Sequence, residues 1–156
     1  MTDIYKKVLQ YLNEQKVQYK YLEHGPAKTC EESALMRNEP IEIGGKTILL
    51  KSKEKFHLFV LSAALSVDSK RVRKILKDQK LRFANQNELM ERCQVEKGAL
   101  PPFGAPIYPF DLYLDDSILT NDRIAFNAGD ITKSVILKTD DYLKLVIYKQ
   151  VSFSKN

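Results

Sequence analysis

Gly98-Ala99-Leu100-Pro101-Pro102-Phe103-Gly104 is the run on which the reading of this chain turns. Two glycines bracket prolines and apolar residues, and no side chain in the run can do acid–base chemistry. Proline fixes φ and removes a backbone donor, and the residue before it is pushed to an extended conformation. The remaining N–H groups, those of Gly98, Ala99, Leu100, Phe103 and Gly104, can therefore be held in fixed directions. A glycine at the entrance lets another molecule approach the backbone closely. Two readings are open on spacing alone. One is a rigid connector between a helix and a strand. The other is a wall that recognises a small group through backbone atoms.

The chain around this loop has 156 residues, which suits one domain with a real hydrophobic core. Apolar residues make up 44% and charged residues 29%, the composition of a soluble globular protein and not of a disordered one. A net charge of +5 and a pI of about 9.1 permit a polyanionic partner without requiring one. No apolar run approaches the length of a membrane span, and Met1-Thr2-Asp3-Ile4 has no signal-peptide pattern. Cys30 and Cys93, like the two histidines, are isolated in sequence. That spacing gives neither a disulfide framework nor a zinc-ligand set. The expectation is a cytoplasmic protein with reduced thiols, no metal and no cofactor, and neither a membrane nor DNA as partner.

Taken in order, Thr2 or Asp3 caps a first helix with Ile4, Val8 and Leu12 on one face. Val17 to Leu22 alternates as a short strand and ends at His24-Gly25-Pro26. Thr29-Cys30-Glu31-Glu32 is a capping box for a second helix reaching about Arg37. Lys46 to Lys51 and Phe56 to Leu61 read as a hairpin, the second strand apolar enough to be covered on both faces. Asp68 caps a basic third helix, Ser69 to Lys77, whose charges read as a solvated face or a phosphate-facing surface. Leu81 to Ala84 is a short strand, and Asn85 or Asn87 caps a fourth helix through Leu89, Met90 and Cys93. Ile107 to Asp115 is extended, with Phe110, Leu112 and Leu114 on one side. Arg123 to Ala128 and Ser134 to Lys138 are further strands joined around Gly129-Asp130. Thr139 or Asp140 caps a last helix with Leu143, Val146 and Ile147, and Ser152 to Asn156 should be loose. This order argues for one α+β domain over residues 1–156, with a mixed sheet flanked by helices.

The landmarks in this order resemble the YbaK/prolyl-tRNA-synthetase-associated editing domain family. They are His24-Gly25-Pro26 with Thr29-Cys30-Glu31-Glu32-Ser33-Ala34, Gly45-Lys46-Thr47 opening a strand, and Val67-Asp68-Ser69-Lys70. The Gly98 to Gly104 run and Phe126-Asn127-Ala128-Gly129 complete the set. The resemblance spans roughly residues 19 to 147. It implies a partly closed, barrel-like mixed sheet and a trans-editing aminoacyl-tRNA deacylase, which hydrolyses the ester between a wrong amino acid and the terminal adenosine of tRNA. Lys46 is then expected to hold the terminal phosphate or the ester carbonyl. Gly98, Ala99 and Leu100 are expected to position the carbonyl through backbone N–H groups, beside Pro101, Pro102 and Phe103. Asn127, Ala128, Gly129 and Ser134 are expected to line the amino-acid pocket, with Tyr21, His24 and Thr47 as further substrate contacts. The serine and aspartate of cysteinyl-type members appear here as Asn127 and Ser134, and the histidine of alanyl-type members has no equivalent. The form GALPPFG with FNAG looks like the bacterial branch associated with seryl- and threonyl-tRNA.

An aminoacyl ester is already activated. Fixed N–H groups aimed at its carbonyl oxygen stabilise the tetrahedral transition state, and a ribose hydroxyl or water can attack. No protein nucleophile is required. The partner is the acceptor end of an aminoacyl-tRNA, and a synthetase is a further partner to consider. The alternative is a non-catalytic module of the same fold that docks tRNA or a synthetase.

Overall fold

A computed structural model describes residues 3–156. Helix α1 (Ile4–Glu14) buries Ile4, Val8 and Leu12, as its period requires. Of the two expected caps, Thr2 lies outside the described residues. The Asp3 side chain caps nothing and sits 3.3 Å from Lys6 Nζ instead. Strand β1 (Tyr19–Glu23) follows, then α2 (Cys30–Arg37), opened by the expected Thr29/Glu32 capping box. A single 3₁₀ turn at Ile41–Ile43 leads into the hairpin β2 (Gly45–Ser52) and β3 (Lys55–Ser62). Next come β4 (Ser66–Val67), α3 (Ser69–Leu76) capped by Asp68, and β5 (Arg82–Phe83). Asn85, not Asn87, caps α4 (Gln86–Cys93), in a second capping box with Glu88. The chain finishes with β6 (Asp111–Asp115), α5 (Asp116–Leu119), β7 (Arg123–Asn127), β8 (Lys133–Lys138), α6 (Thr139–Leu145), β9 (Lys149–Val151) and β10 (Ser154–Lys155).

Three expectations fail for physical reasons. Ile107 to Phe110 is not strand, because the Ile107 and Tyr108 N–H groups both turn back onto Gly104 O at 2.9 Å. The last helix has no side-chain cap. Thr139 Oγ1 donates to Asn121 O at 2.6 Å, and the helix stops before Val146, leaving Ile147 89% exposed. The C-terminus is not loose. Phe153 is fully buried, and Asp115 Oδ1 accepts from the N–H groups of Phe153 and Ser154.

The strands form three sheets. Five strands run β5-β2-β3-β6-β9, antiparallel at the hairpin and parallel from β3 through β9. Three run β1-β8-β7, all antiparallel, and β4 pairs with β10. A parallel bridge between Gly44 and Ala125 joins the five-stranded and three-stranded sheets. β3 is covered on both faces, as its sequence predicts. Phe56, Leu58 and Val60 enter the main core, while Phe59 and Leu61 enter a second core with Val72 of α3 and Phe153. β6 is covered likewise, through Leu112 and Leu114 on one face and Tyr113 on the other. Each fully buried side chain of this size contributes roughly 1.5–3 kcal/mol. Among the described residues no helix is long and apolar enough to cross a membrane.

The three-stranded sheet sets the floor of the site. Cross-strand partners share a face. Asn127 lies opposite Ser134, and Ser134 opposite Leu22, so all three point one way. Tyr21 and Phe126 both lie opposite Val135 and point the other way, into the main core.

Candidate active site

A small cleft of about 90 Å³, open to solvent, lies between α2, the start of β2 and the Gly98 loop. Lys46 and Thr47 line one wall, Gly98 and Leu100 another, and Asn127 closes the bottom. These expected residues come from three separate stretches of chain. Lys28 and Arg37 join Lys46 there, so three cations line the cleft and, among the described residues, no carboxylate does. Lys46 Nζ donates to Leu65 O at 2.6 Å, which anchors the ammonium and leaves two of its hydrogens for a ligand. Thr47 Oγ1 is buried with no partner among the described residues.

The loop is tied down group by group. Gly98 O accepts from Asn127 Nδ2 at 2.8 Å. Ala99 N–H donates to Glu96 O, and Ala99 O accepts from Gly129 N–H at 2.9 Å. Phe103 N–H donates to Pro101 O, and Pro102 O accepts from Tyr142 Oη at 2.6 Å. Ala99 and Phe103 thus lose the free N–H expected of them, because neighbouring carbonyls have taken it. Among the described residues, the N–H groups of Gly98, Leu100 and Gly104 have no acceptor, and only Gly98 and Leu100 line the cleft. The direction of the Leu100 donor follows from peptide geometry. C=O and the following N–H point oppositely in a trans peptide. With Ala99 O held by Gly129, Leu100 N–H faces away from Gly129.

Gly98 itself is explained by the fold. Its φ is +93°, and a Cβ there would lie 2.6 Å from Lys28 O. The close approach is that of the protein's own backbone. Gly129, at φ +87°, is similarly required by Ile4 and Tyr5, since its Cβ would meet Ile4 Cγ2 at 2.6 Å. Ala99, Ala128 and Phe103 are buried, with Phe103 edge-on to Tyr11, Phe126 and Tyr142. Pro101, Pro102 and Gly129 also stand outside the lining, and Tyr21 lies on the opposite face of its sheet.

Sequence reasoning missed Arg37. It is only 8% exposed, yet no carboxylate lies within ion-pair distance among the described residues. Its Nε donates to Ser134 Oγ at 2.9 Å and its Nη2 to Asn127 Oδ1 at 3.0 Å. Burial pushes the guanidinium down to about 10, opposed by the fields of Cys30 and Glu39. Glu39 is itself held by both terminal nitrogens of Arg123. Ser134 is fully buried and bonds Arg37, Asn127 and His24 Nε2, the last at 2.7 Å. It and His24 stand behind the cleft wall. A carbonyl only accepts, so His24 Nδ1, 2.7 Å from Gly25 O, carries a proton. A signal for Arg37 exists in the sequence. The two buried residues of α2 are Ser33 and Arg37, one turn apart, while Leu35 and Met36 are 81% and 46% exposed. A short helix with its apolar residues outward and polar ones inward faces a polar site.

Neither cysteine is activated. Burial raises the Cys30 thiol and pushes that of Cys93 up to about 12. No group of three or more His, Cys, Asp or Glu among the described residues could hold a metal ion.

The cleft presents a fixed main-chain donor and three cations and, among the described residues, no acid, a lining whose chemistry complements electron-rich oxygens. Residues 24–145 match the aminoacyl-tRNA editing domain family, and the chain belongs to it. Prolyl-tRNA editing protein ProX of Acetoanaerobium sticklandii is 26% identical over 149 residues, covering 92% of this chain and 91% of the relative. Multifunctional Ser/Thr-tRNA deacylase ProXp-y of Escherichia coli K12 is 27% identical over 157 residues, covering 97% and 93%. A solved structure described as a proposed trans-editing enzyme for prolyl-tRNA synthetase shares the fold, with a TM-score of 0.83, 19% identity and coverage of 100% and 99%.

Proposed function

We propose that this protein is a free-standing aminoacyl-tRNA deacylase that hydrolyses the ester of mischarged tRNA, seryl and threonyl esters foremost. The observation that carries the reading is the Leu100 N–H, which has no acceptor among the described residues and is fixed by the Ala99–Gly129 bond at a cleft lined by cations. In the reaction, water adds to the ester carbonyl carbon and the oxygen becomes negative. Leu100 N–H receives that charge, with Gly98 N–H beside it. A donor already fixed by the protein needs no reorganisation as the charge forms. Lys46 supplies positive charge to the same oxygen or to the terminal phosphate. The carbon–oxygen ester bond then breaks, the ribose oxygen takes a proton, and free amino acid and tRNA leave. Asn127 acts through the loop, since its amide is committed to Gly98 O, Ala27 O and Arg37. The same reading puts the protein in the cytoplasm, beside the synthetases whose errors it would clear.

The test is single-turnover deacylation of seryl-, threonyl-, alanyl- and prolyl-tRNA. The protein should cleave the first two faster than the others. Lys46→Ala should lower the rate at least about tenfold, ~1.4 kcal/mol, while the melting temperature holds. A wild-type protein that binds tRNA and cleaves none of the four would be the docking module instead.

A further inference from the structure

We infer that Arg37 determines the specificity of this cleft, its guanidinium reading a side-chain oxygen of the aminoacyl group. The inference rests on the deacylase reading and names the residue that selects the substrate. Two of the three guanidinium nitrogens are committed, Nε to Ser134 and Nη2 to Asn127. Nη1 has no acceptor among the described residues. It lies on the side of Gly44, where a Cβ would stand 3.8 Å from it, and Gly44 lines the cleft. Among the described residues the fully buried side-chain atoms without a partner are Thr47 Oγ1 and His57 Nδ1; Nη1 is not one of them and is reached from the cleft that Arg37 lines. A buried cation facing neutral oxygens alone is costly, and a ligand oxygen relieves that cost.

The geometry of the substrate selects which oxygen. Lys28 is exposed and Lys46 half-buried, whereas Arg37 is buried. The cations near the mouth therefore meet the phosphates, which belong to a polymer and cannot reach the bottom. The α-ammonium of the amino acid finds no carboxylate in the lining and is repelled by three cations. It turns to solvent, which leaves the side chain as the free end that points inward. Gly44 and Ala63 border the cleft, packed so closely that a Cβ on Gly44 would lie 2.9 Å from Ala63 Cβ. Ser134 and Asn127 cannot do the reading, because one is fully buried and the other has its amide committed. They hold the guanidinium so that its remaining edge faces the ligand. A hydrogen bond from a charged donor to a hydroxyl discriminates by about ten- to hundredfold.

The experiment compares kcat/KM for seryl and alanyl esters on one tRNA body, using wild type, Arg37→Met and Arg37→Lys, with melting temperatures. Wild type should prefer the seryl ester at least about tenfold. In Arg37→Met the seryl rate should fall at least about tenfold more than the alanyl rate. Arg37→Lys should fall between them, since one ammonium cannot serve Ser134, Asn127 and ligand together. An equal fall for both esters in Arg37→Met overturns the inference, because Arg37 then acts on a group they share. If Arg37→Met does not fold, full seryl preference in Arg37→Lys overturns it. A wild-type protein that cleaves both esters equally refutes the inference alone, and one that cleaves neither refutes the deacylase reading with it.

Discussion

Asn127→Ala cuts the knot between the loop and the cleft floor. The amide donates to Gly98 O at 2.8 Å and Ala27 O at 3.0 Å, and accepts from Arg37 Nη2 at 3.0 Å. Each neutral bond contributes about 1 kcal/mol, and the one to the guanidinium about 1.5–3 kcal/mol. These terms share partners and do not simply add, and Arg37 can recover a water from the open cleft. The expected destabilisation is about 2–4 kcal/mol, read by urea denaturation at neutral pH. For a domain of this size that lowers the melting temperature by roughly 5–15 °C. Ser33→Ala is the control, since it removes only a long 3.3 Å contact to the same amide and should cost under about 0.5 kcal/mol.

The kinetic consequence is separate. Releasing Gly98 O lets the Gly98–Ala99 peptide rotate and loosens the neighbouring Leu100 donor. Deletion of an oxyanion donor costs about 10²–10³ in kcat. Loosening one should cost a smaller factor, at least about tenfold, measured under conditions where the variant is folded. Destabilisation below about 1 kcal/mol would refute the bond network. Full destabilisation with undiminished kcat in the folded fraction would refute the claim that Asn127 holds the donor.

Two further outcomes are expected. Asp115 is buried, which raises its pKa. The N–H groups of Phe153, Ser154 and Ser117 outweigh burial and leave the carboxyl below its ordinary range. A depressed folded pKa gives stability that is complete above the unfolded value and lost as pH falls through the folded one. Denaturation series from pH 7 downward should therefore show stability falling below about pH 4, with Asp115→Asn flattening that limb. An unchanged limb in Asp115→Asn would show that other groups set it. A Cys30→Ala, Cys93→Ala protein dialysed against chelator should keep most of its deacylase activity. Loss of activity at an unchanged melting temperature would mean that a thiol or a metal does the chemistry.

What could be read from the sequence was what local physics decides. The Thr29 box, the Asp68 cap and the hairpin depend on residues within a few positions of one another, and each formed as the spacing required. The C-terminus was misjudged because its tether is distant. Ser152 to Asn156 is polar and short, yet Asp115, 38 residues before Phe153, holds it in place. The site divides in the same way. Lys46, Thr47, Gly98, Leu100 and Asn127 do meet at one cleft. Ser134 and Asn127 could not be assigned their bonds from sequence, since their partner Arg37 lies 97 and 90 residues away.

That distance explains how the cleft wall is held. α2 has eight residues, too few to be stable alone. Its apolar Leu35 and Met36 face outward and contribute little burial. What fixes the helix is polar: the Thr29 capping box at one end and the Arg37 bonds to β7 and β8 at the other. The wall of the cleft is thus held by the same side chain that faces its ligand. A ligand oxygen on Nη1 adds a bond to the group that anchors α2, so occupancy and wall stability rise together. Hydrogen exchange at α2 should consequently slow when a non-hydrolysable seryl analogue is bound. It should slow less with an alanyl analogue, which gives Arg37 nothing to hold.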